Sequence, residues 1–414
     1  MKKNFITGFV SGAVAFGVVG AMAANMVTTP NSFPIKLNGQ DVSIEGYNVD
    51  DYTYFKLRDI ADVVGGFDVD FQDDTIVLTS QESDDSDALS IADQGIFSAG
   101  GVTLTSEGTF DPENHWEETG AGQTAHVDHA NVLYQIPENE TGLPMVFLHG
   151  YGQSRMGWMT TPDGREGWSD MFLRMGHSVW LIDEPRRGEA GATSVSGDIS
   201  TKTLDQRWYT QFRIGRWENG QSVANEGSQF PNDDESVDQF FRQMTPDTGM
   251  TSDMGSDFDG DMVARAVAAS IDEVYERTGK NSILVTHSQG GRAGWLVPQY
   301  TDHVAVIVAI EPGGAPTADS EEYRVMAEKK IPTVMYFGDY IDNGDPAIAA
   351  TSAWQGMRQT CYDFAEAYTA DGNIAEVIDL PKEGIYGNDH FIFQDLNNDV
   401  VAEHVENWIQ ENVE

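Results

Sequence analysis

Short apolar runs closed by turn residues set the rhythm of this chain. Residues 132–136, 145–148, 179–182, 283–286, 304–310 and 333–337 carry no charged side chain. Many are β-branched or aromatic, and they read as strands buried on both faces of a mostly parallel sheet. Residues 376–380 complete the series. Helical spacing falls between the runs. Val263, Val267, Ile271 and Val274 share one face of a helix expected over 262–278, with Gly279 at its C-cap. A helix is expected over 289–299, and a closing helix turns Val401, Val405, Trp408 and Ile409 inward. Strand alternating with helix predicts an α/β domain over 94–414, with helices on both faces of the sheet.

The rhythm breaks in the middle and at the start. Residues 189–257 are rich in Trp, Gly and Asp, with weak periodicity and no clear strand. They interrupt the alternation and are expected to form a cap inserted over the strand ends. Trp208, Tyr209, Phe212, Trp217, Phe240 and Phe241 either line a pocket there or form the cap's own small core. Residues 33–80 read as a separate α+β module. Two strands, 35–37 and 42–44, flank an Asn38-Gly39 turn. Leu57, Ile60, Ala61 and Val64 mark a helix over 54–64 that Gly65-Gly66 stops, and 67–71 with 75–79 form a hairpin. Residues 81–93 are expected as a linker, acidic over 81–87. Residues 1–24 pair Lys2 and Lys3 with an apolar stretch and end in Ala21-Met22-Ala23. They read as a cleaved secretory signal or, failing cleavage, an N-terminal anchor.

Charge and cysteine usage narrow the function classes. The 414 residues include 24 Lys and Arg against 67 Asp and Glu, for a net charge of −43. Such a field repels nucleic-acid phosphates, so no nucleic-acid partner is expected. The lone Cys361 cannot form an intrachain disulfide. An exported chain without disulfides fits a bacterial envelope or medium.

The chemistry concentrates at strand ends. Thr286-His287-Ser288-Gln289-Gly290 follows a buried run and fits a nucleophile elbow, which exposes a serine at a helix N-terminus. His149-Gly150-Tyr151-Gly152 follows an earlier strand, where glycine lets backbone N–H groups approach a reacting carbonyl; His149 is read as structural. Glu311 ends the next run, Asp339 and Asp342 the one after, and His390 alone among the histidines lies between the last strand and the last helix. Serine, acid, histidine is the order of α/β-hydrolases, with the acid left open between Glu311 and Asp339 or Asp342. His126 and His129 flank Asp128 on an expected edge strand, where a metal site is the alternative to a structural role.

Residues 95–414 resemble the esterase 713-like branch of bacterial α/β-hydrolases. The resemblance is carried by His149-Gly150, Thr161-Pro162-Asp163-Gly164-Arg165-Glu166-Gly167-Trp168, His287-Ser288-Gln289, Ile310-Glu311-Pro312-Gly313 and Gly387-Asn388-Asp389-His390. It implies an α/β-hydrolase fold with a Ser288-His390-Glu311 triad. It also implies oxyanion donors at the backbone of Gln289 and Tyr151, with Gly152 as the alternative. Two positions depart from the branch: Thr286 replaces the elbow's first glycine, and Arg186 stands where the pattern has glycine. Tyr54-Phe55-Lys56-Leu57-Arg58-Asp59 resembles the copper amine oxidase N-terminal-like repeat of exported bacterial proteins. That module carries no His, Cys or Met, so an attachment role is expected rather than soft-metal binding.

The expectation is an exported, secreted or envelope-bound serine hydrolase that cleaves a small carboxylic ester through an acyl-enzyme, without metal or cofactor. The alternatives are an inactive envelope-binding protein and an amidase or lyase on the same fold.

Overall fold

The computed structural model describes residues 28–80 (except 31–34, 38–39, 43, 45, 50–51, 65–66 and 73–74), 88–116, 120–195, 197, 199, 204–249 and 258–413. The chain divides into two compact units, Met1–Ala88 and Leu89–Glu414.

In the first unit, β1 (Thr28–Pro30), β4 (Gly46–Val49) and β5 (Tyr52–Phe55) form an antiparallel sheet in the order β1-β4-β5. Between β1 and β4 in the chain, β2 (Ile35–Leu37) pairs with β3 (Gln40–Val42), with Leu37 opposite Gln40. The second arm therefore begins earlier than expected, at Gln40 rather than Val42. Helix α1 (Leu57–Val64) follows, and β6 (Phe67–Gln72) pairs with β7 (Thr75–Ser80). Tyr54 and Phe55, expected in the helix, are in β5, where they pair with β4. The Asn38-Gly39 and Gly65-Gly66 turns, residues 1–24 and the acidic stretch 81–87 lie outside the described residues.

The second unit is built on an eight-stranded sheet. In chain order its strands are β8 (Ile91–Ala99), β11 (Ala130–Pro137), β12 (Met145–Leu148), β13 (Val179–Asp183), β16 (Ser282–His287), β17 (Val304–Ile310), β18 (Thr333–Phe337) and β19 (Ala375–Asp379). In space they run β19-β18-β17-β16-β12-β13-β11-β8. All neighbours from β13 to β19 are parallel, while β11 is antiparallel to both β8 and β13. Residues 91–93, expected in the linker, are paired in β8, which hid in the sequence because Asp93, Gln94 and Gly95 break its apolar alternation. Val102–Thr105 (β9) and Thr124–Val127 (β10) form a small separate ribbon.

Packing explains why the central strands carry no polar face. Every residue of β12, β13, β16 and β18 is buried. Helix α6 (Gly260–Thr278) packs on the sheet; Asp259 caps it by accepting from Met262 N–H, and Gly279 ends it at φ 68°. The helix expected over 289–299 is shorter: α7 spans Gln289–Gly294, and a 3₁₀ turn over Val297–Gln299 follows because Pro298 cannot continue an α-helical ladder. Helix α9 (Ala349–Ala370) buries only Thr351, Trp354, Cys361, Phe364 and Tyr368.

The inserted stretch also contains structure that the apolar pattern does not announce. Helix α4 (Asp205–Gln211) leads into a hairpin of β14 (Gly215–Glu218) and β15 (Gln221–Ala224), and helix α5 (Asp234–Arg242) follows. The hairpin corrects the reading of 189–257 as strandless. Asn219 and Gly220 both have positive φ, 52° and 85°, as a two-residue primed turn requires. That Asn-Gly pair was the available signal; the half-exposed arms supplied none.

The parallel register brings β16, β17 and β18 to one edge. His287 lies opposite Ile310, and Ile310 opposite Tyr336. Ser288, Glu311 and Gly338, each the residue after its strand, therefore emerge side by side.

Candidate active site

Ser288 stands at the turn from β16 into α7 with φ 53° and ψ −119°. A non-glycine residue reaches this conformation only when its surroundings over-determine it. Ser288 N–H donates to the Ile310 carbonyl at 3.0 Å, and its own carbonyl accepts from Gly291 N–H at 3.0 Å. Glycines supply the remaining room. A Cβ on Gly290 would lie 2.3 Å from the His149 carbonyl oxygen, and one on Gly150 would lie 2.8 Å from Ser288 Cβ.

Thr286 shows how the elbow tolerates a β-branched residue at its first position. A Cβ on Gly294 would stand 2.7 Å from Thr286 Cγ2. The close strand–helix approach is kept by removing bulk from the helix rather than from the strand.

Glu311 is fully buried with φ 48°. Its Oε2 lies 3.2 Å from His390 Nδ1. Its Oε1 accepts from Gly338 N–H at 2.6 Å and from the Arg213 guanidinium at 2.6 Å. A carboxylate out of water needs such partners.

Arg213, itself at φ 64°, comes from the loop between α4 and β14. Its Nε donates to the Asp339 carbonyl at 3.0 Å, and its guanidinium lies over the Trp354 ring at 4.8 Å. Nothing in the sequence singled out Arg213. Only the expectation that its segment lies over the strand ends bears on it.

The other candidate acids face elsewhere. Asp339 accepts from Tyr340 N–H at 2.7 Å and Gly387 N–H at 3.0 Å, so its carboxylate braces the loop ahead of His390. Asp342 is 70 % exposed and pairs with Arg358.

His390 is nearly inaccessible and sits among rings. Phe212 stacks on it at 4.8 Å and 12°, and Trp354 lies at 4.4 Å. His390 N–H donates to the Phe212 carbonyl at 3.2 Å. Its Nε2 is buried without a partner, so the Ser288–His390 hydrogen bond is open in this structure. Such contacts commonly tighten when substrate binds. Burial, then the charge of Arg213, holds His390 well below the usual histidine range.

His287 buttresses it. Its Nε2 lies 2.9 Å from the His390 carbonyl, which can only accept, so Nε2 carries the proton and Nδ1 faces the Gln153 side-chain amide at 2.8 Å. Burial and the neighbouring His390 keep His287 neutral.

A cavity of about 200 Å³ opens at Ser288, and Tyr151 and Gln289 line it. Gly152 instead packs against Trp208, where a Cβ would lie 2.6 Å from the ring. Trp208, Phe212 and Trp354 form an apolar wall of the cavity, so the inserted aromatics lie both at the pocket and in the segment's own core. Tyr209, Phe230 and Phe240 are buried, with edge-on ring contacts between Tyr209 and Phe230 and between Phe230 and Phe240.

The remaining sequence candidates have structural partners. His149 Nε2 accepts from Glu184 N–H at 3.2 Å. Arg186 is buried and ion-paired to Asp128 at 2.9 Å, so Asp128 is committed to a guanidinium between His126 and His129. Burial alone would raise the Asp128 carboxyl, but hydrogen bonds from Arg186 and Ser194 hold it below its ordinary value. Burial pushes the Cys361 thiol up to about 12. Within the block 161–168, Arg165 donates to the Asp395 carbonyl at 3.0 Å and to Asn398 Oδ1 at 2.9 Å, and Trp168 Nε1 to the Asn398 carbonyl at 3.0 Å. That block braces the chain just after His390.

No family model matches the chain. A solved structure of a novel bacterial esterase is 28 % identical, covers 78 % of this chain and 97 % of its own, and superposes with a TM-score of 0.63. A fungal probable secreted lipase is 27 % identical over 66 % of this chain and 84 % of its own length. By sheet order the chain has the α/β-hydrolase fold, and by these likenesses it is a carboxylic ester hydrolase.

Proposed function

We propose that this carboxylic ester hydrolase works through Ser288, His390 and Glu311, with oxyanion donors at the backbone N–H groups of Tyr151 and Gln289. The observation that carries the reading is the buried Glu311–His390 contact beside a strained serine at the mouth of a cavity. Ser288 Oγ attacks the ester carbonyl while His390 Nε2 takes its proton, and the developing oxyanion turns to the two N–H groups. His390 then protonates the leaving alcohol, and a water activated by the same nitrogen releases the acid. Glu311 fixes the Nδ1–H tautomer and stabilises the imidazolium. The chemistry calls for no metal or cofactor.

The branch-level likeness to the esterase 713 group supports Glu311 as the acid. We read the enzyme as exported and bacterial, with residues 33–80 as a copper amine oxidase N-terminal-like attachment module, 81–90 as its linker and 189–257 as a cap. Among the described residues, no helix is long and apolar enough to cross a membrane.

The test is turnover of p-nitrophenyl esters of graded chain length by the full chain and by Ser288→Ala. The variant should fold normally and lose about 10⁶ in kcat. Near-normal turnover by a folded variant would remove Ser288 as nucleophile and favour a binding protein.

A further inference from the structure

We propose that the Ser288 cavity takes esters bearing a second, anionic group, a carboxylate on the acyl or alcohol half, and that Arg292 selects them. This rests on the ester hydrolase reading and adds the charge of the substrate. Arg292 lies one helical turn beyond Ser288 on α7 and lines the same cavity. Its stem runs along backbone, since a Cβ on Gly313 would lie 3.6 Å from Arg292 Cδ.

Among the described residues of the second unit, Arg292 is the one arginine whose side chain has neither an ion pair nor a hydrogen bond. In a chain with 67 acidic side chains against 24 basic ones, the other guanidiniums have found partners within the protein. The exception, itself exposed, lines the cavity that opens at Ser288. A guanidinium presents a planar fork that matches both oxygens of a carboxylate, which a neutral ester tail cannot use.

In the same lining, Trp208, Phe212 and Trp354 offer apolar surface for the hydrocarbon between ester and anion. Arg207, which donates to Gln211, adds a second positive charge to the lining. The net charge of −43 repels anions at a distance. Selection must therefore act within about a Debye length, roughly 8 Å at physiological salt; among the residues lining the cavity, these two arginines are the charged ones.

The test compares kcat/KM of the full chain for two matched pairs. One is ethyl hydrogen succinate against ethyl 4-methylpentanoate, in which isopropyl replaces the carboxylate. The other is acetoxyacetate against isobutyl acetate. In at least one pair the anionic member should be favoured by about tenfold, the scale of one charge-assisted hydrogen bond. Arg292→Gln should lose most of that ratio, Arg292→Lys should keep part of it, and added salt should reduce it. A wild-type preference for the neutral member in both pairs, or a ratio that survives Arg292→Gln, overturns the proposal and leaves the hydrolase reading standing. Failure to hydrolyse any ester overturns both.

Discussion

Two pairs of residues around His390, Ser288 with Glu311 and Phe212 with Arg213, come from regions of opposite construction. Ser288 and Glu311 end buried parallel strands whose register fixes their spacing. Phe212 and Arg213 sit in a loop of the inserted segment, after a helix of seven residues. Yet this loop gives His390 its ring contact and backbone acceptor, and gives Glu311 its cationic partner. The sheet sets where the reacting groups stand; the inserted segment sets their electrostatics. On this account the segment belongs to the working site and is more than a cover.

The sharpest way to break the comparison is to remove the carboxylate supplied by the sheet. Glu311→Gln should fold and lose about 10⁴ in kcat, the scale of losing a triad carboxylate. Asp339→Asn and Asp342→Asn should do far less, because those carboxylates serve backbone N–H groups and Arg358. A silent Glu311→Gln beside a dead aspartate variant would move the acid to the end of β18.

The inserted segment is tested by Arg213→Gln, with an expected loss of about 10² in kcat/KM, the cost of misplacing a supporting group. The pH profile separates electrostatics from mere damage. His390 must be neutral to accept a proton, and burial with Arg213 holds its pKa down, so wild-type activity should persist below the usual histidine range near pH 6.5. Removing the cation favours imidazolium, so the acid limb of the variant should move toward neutral pH. An unmoved limb would deny Arg213 its electrostatic role.

The smallest effect concerns the elbow. Gly294→Ala should destabilise the fold by about 1–3 kcal/mol through overpacking against Thr286. Thr286→Gly in the same chain should recover part of that loss in urea unfolding. Purely additive losses would mean that the two positions do not share the space assigned to them.

How much was legible follows the same division. The runs 304–310 and 333–337 match strands to the residue, because a strand buried on both faces carries no polar interruption. Ser288 and Glu311 stood out as candidates because they follow such strands, a signal that Asp339 shares, and His390 because it lies between the last strand and the last helix. Strand β8 and helix α9 were not legible. The first alternates weakly at a sheet edge, and the second buries few of its residues. Arg213 was invisible because its role depends on a left-handed residue in a loop, which no periodicity reports. Arg186 reads as an added charge in the sequence, but in the fold it is the buried partner of Asp128.

The most direct measurement of the central claim is covalent labelling by a fluorophosphonate, followed by peptide mass spectrometry and by inactivation rate. The account predicts one adduct, on Ser288, forming orders of magnitude more slowly in Glu311→Gln and at close to the wild-type rate in Asp342→Asn. An adduct on another residue, or an unchanged rate in Glu311→Gln, would contradict the Ser288-His390-Glu311 assignment.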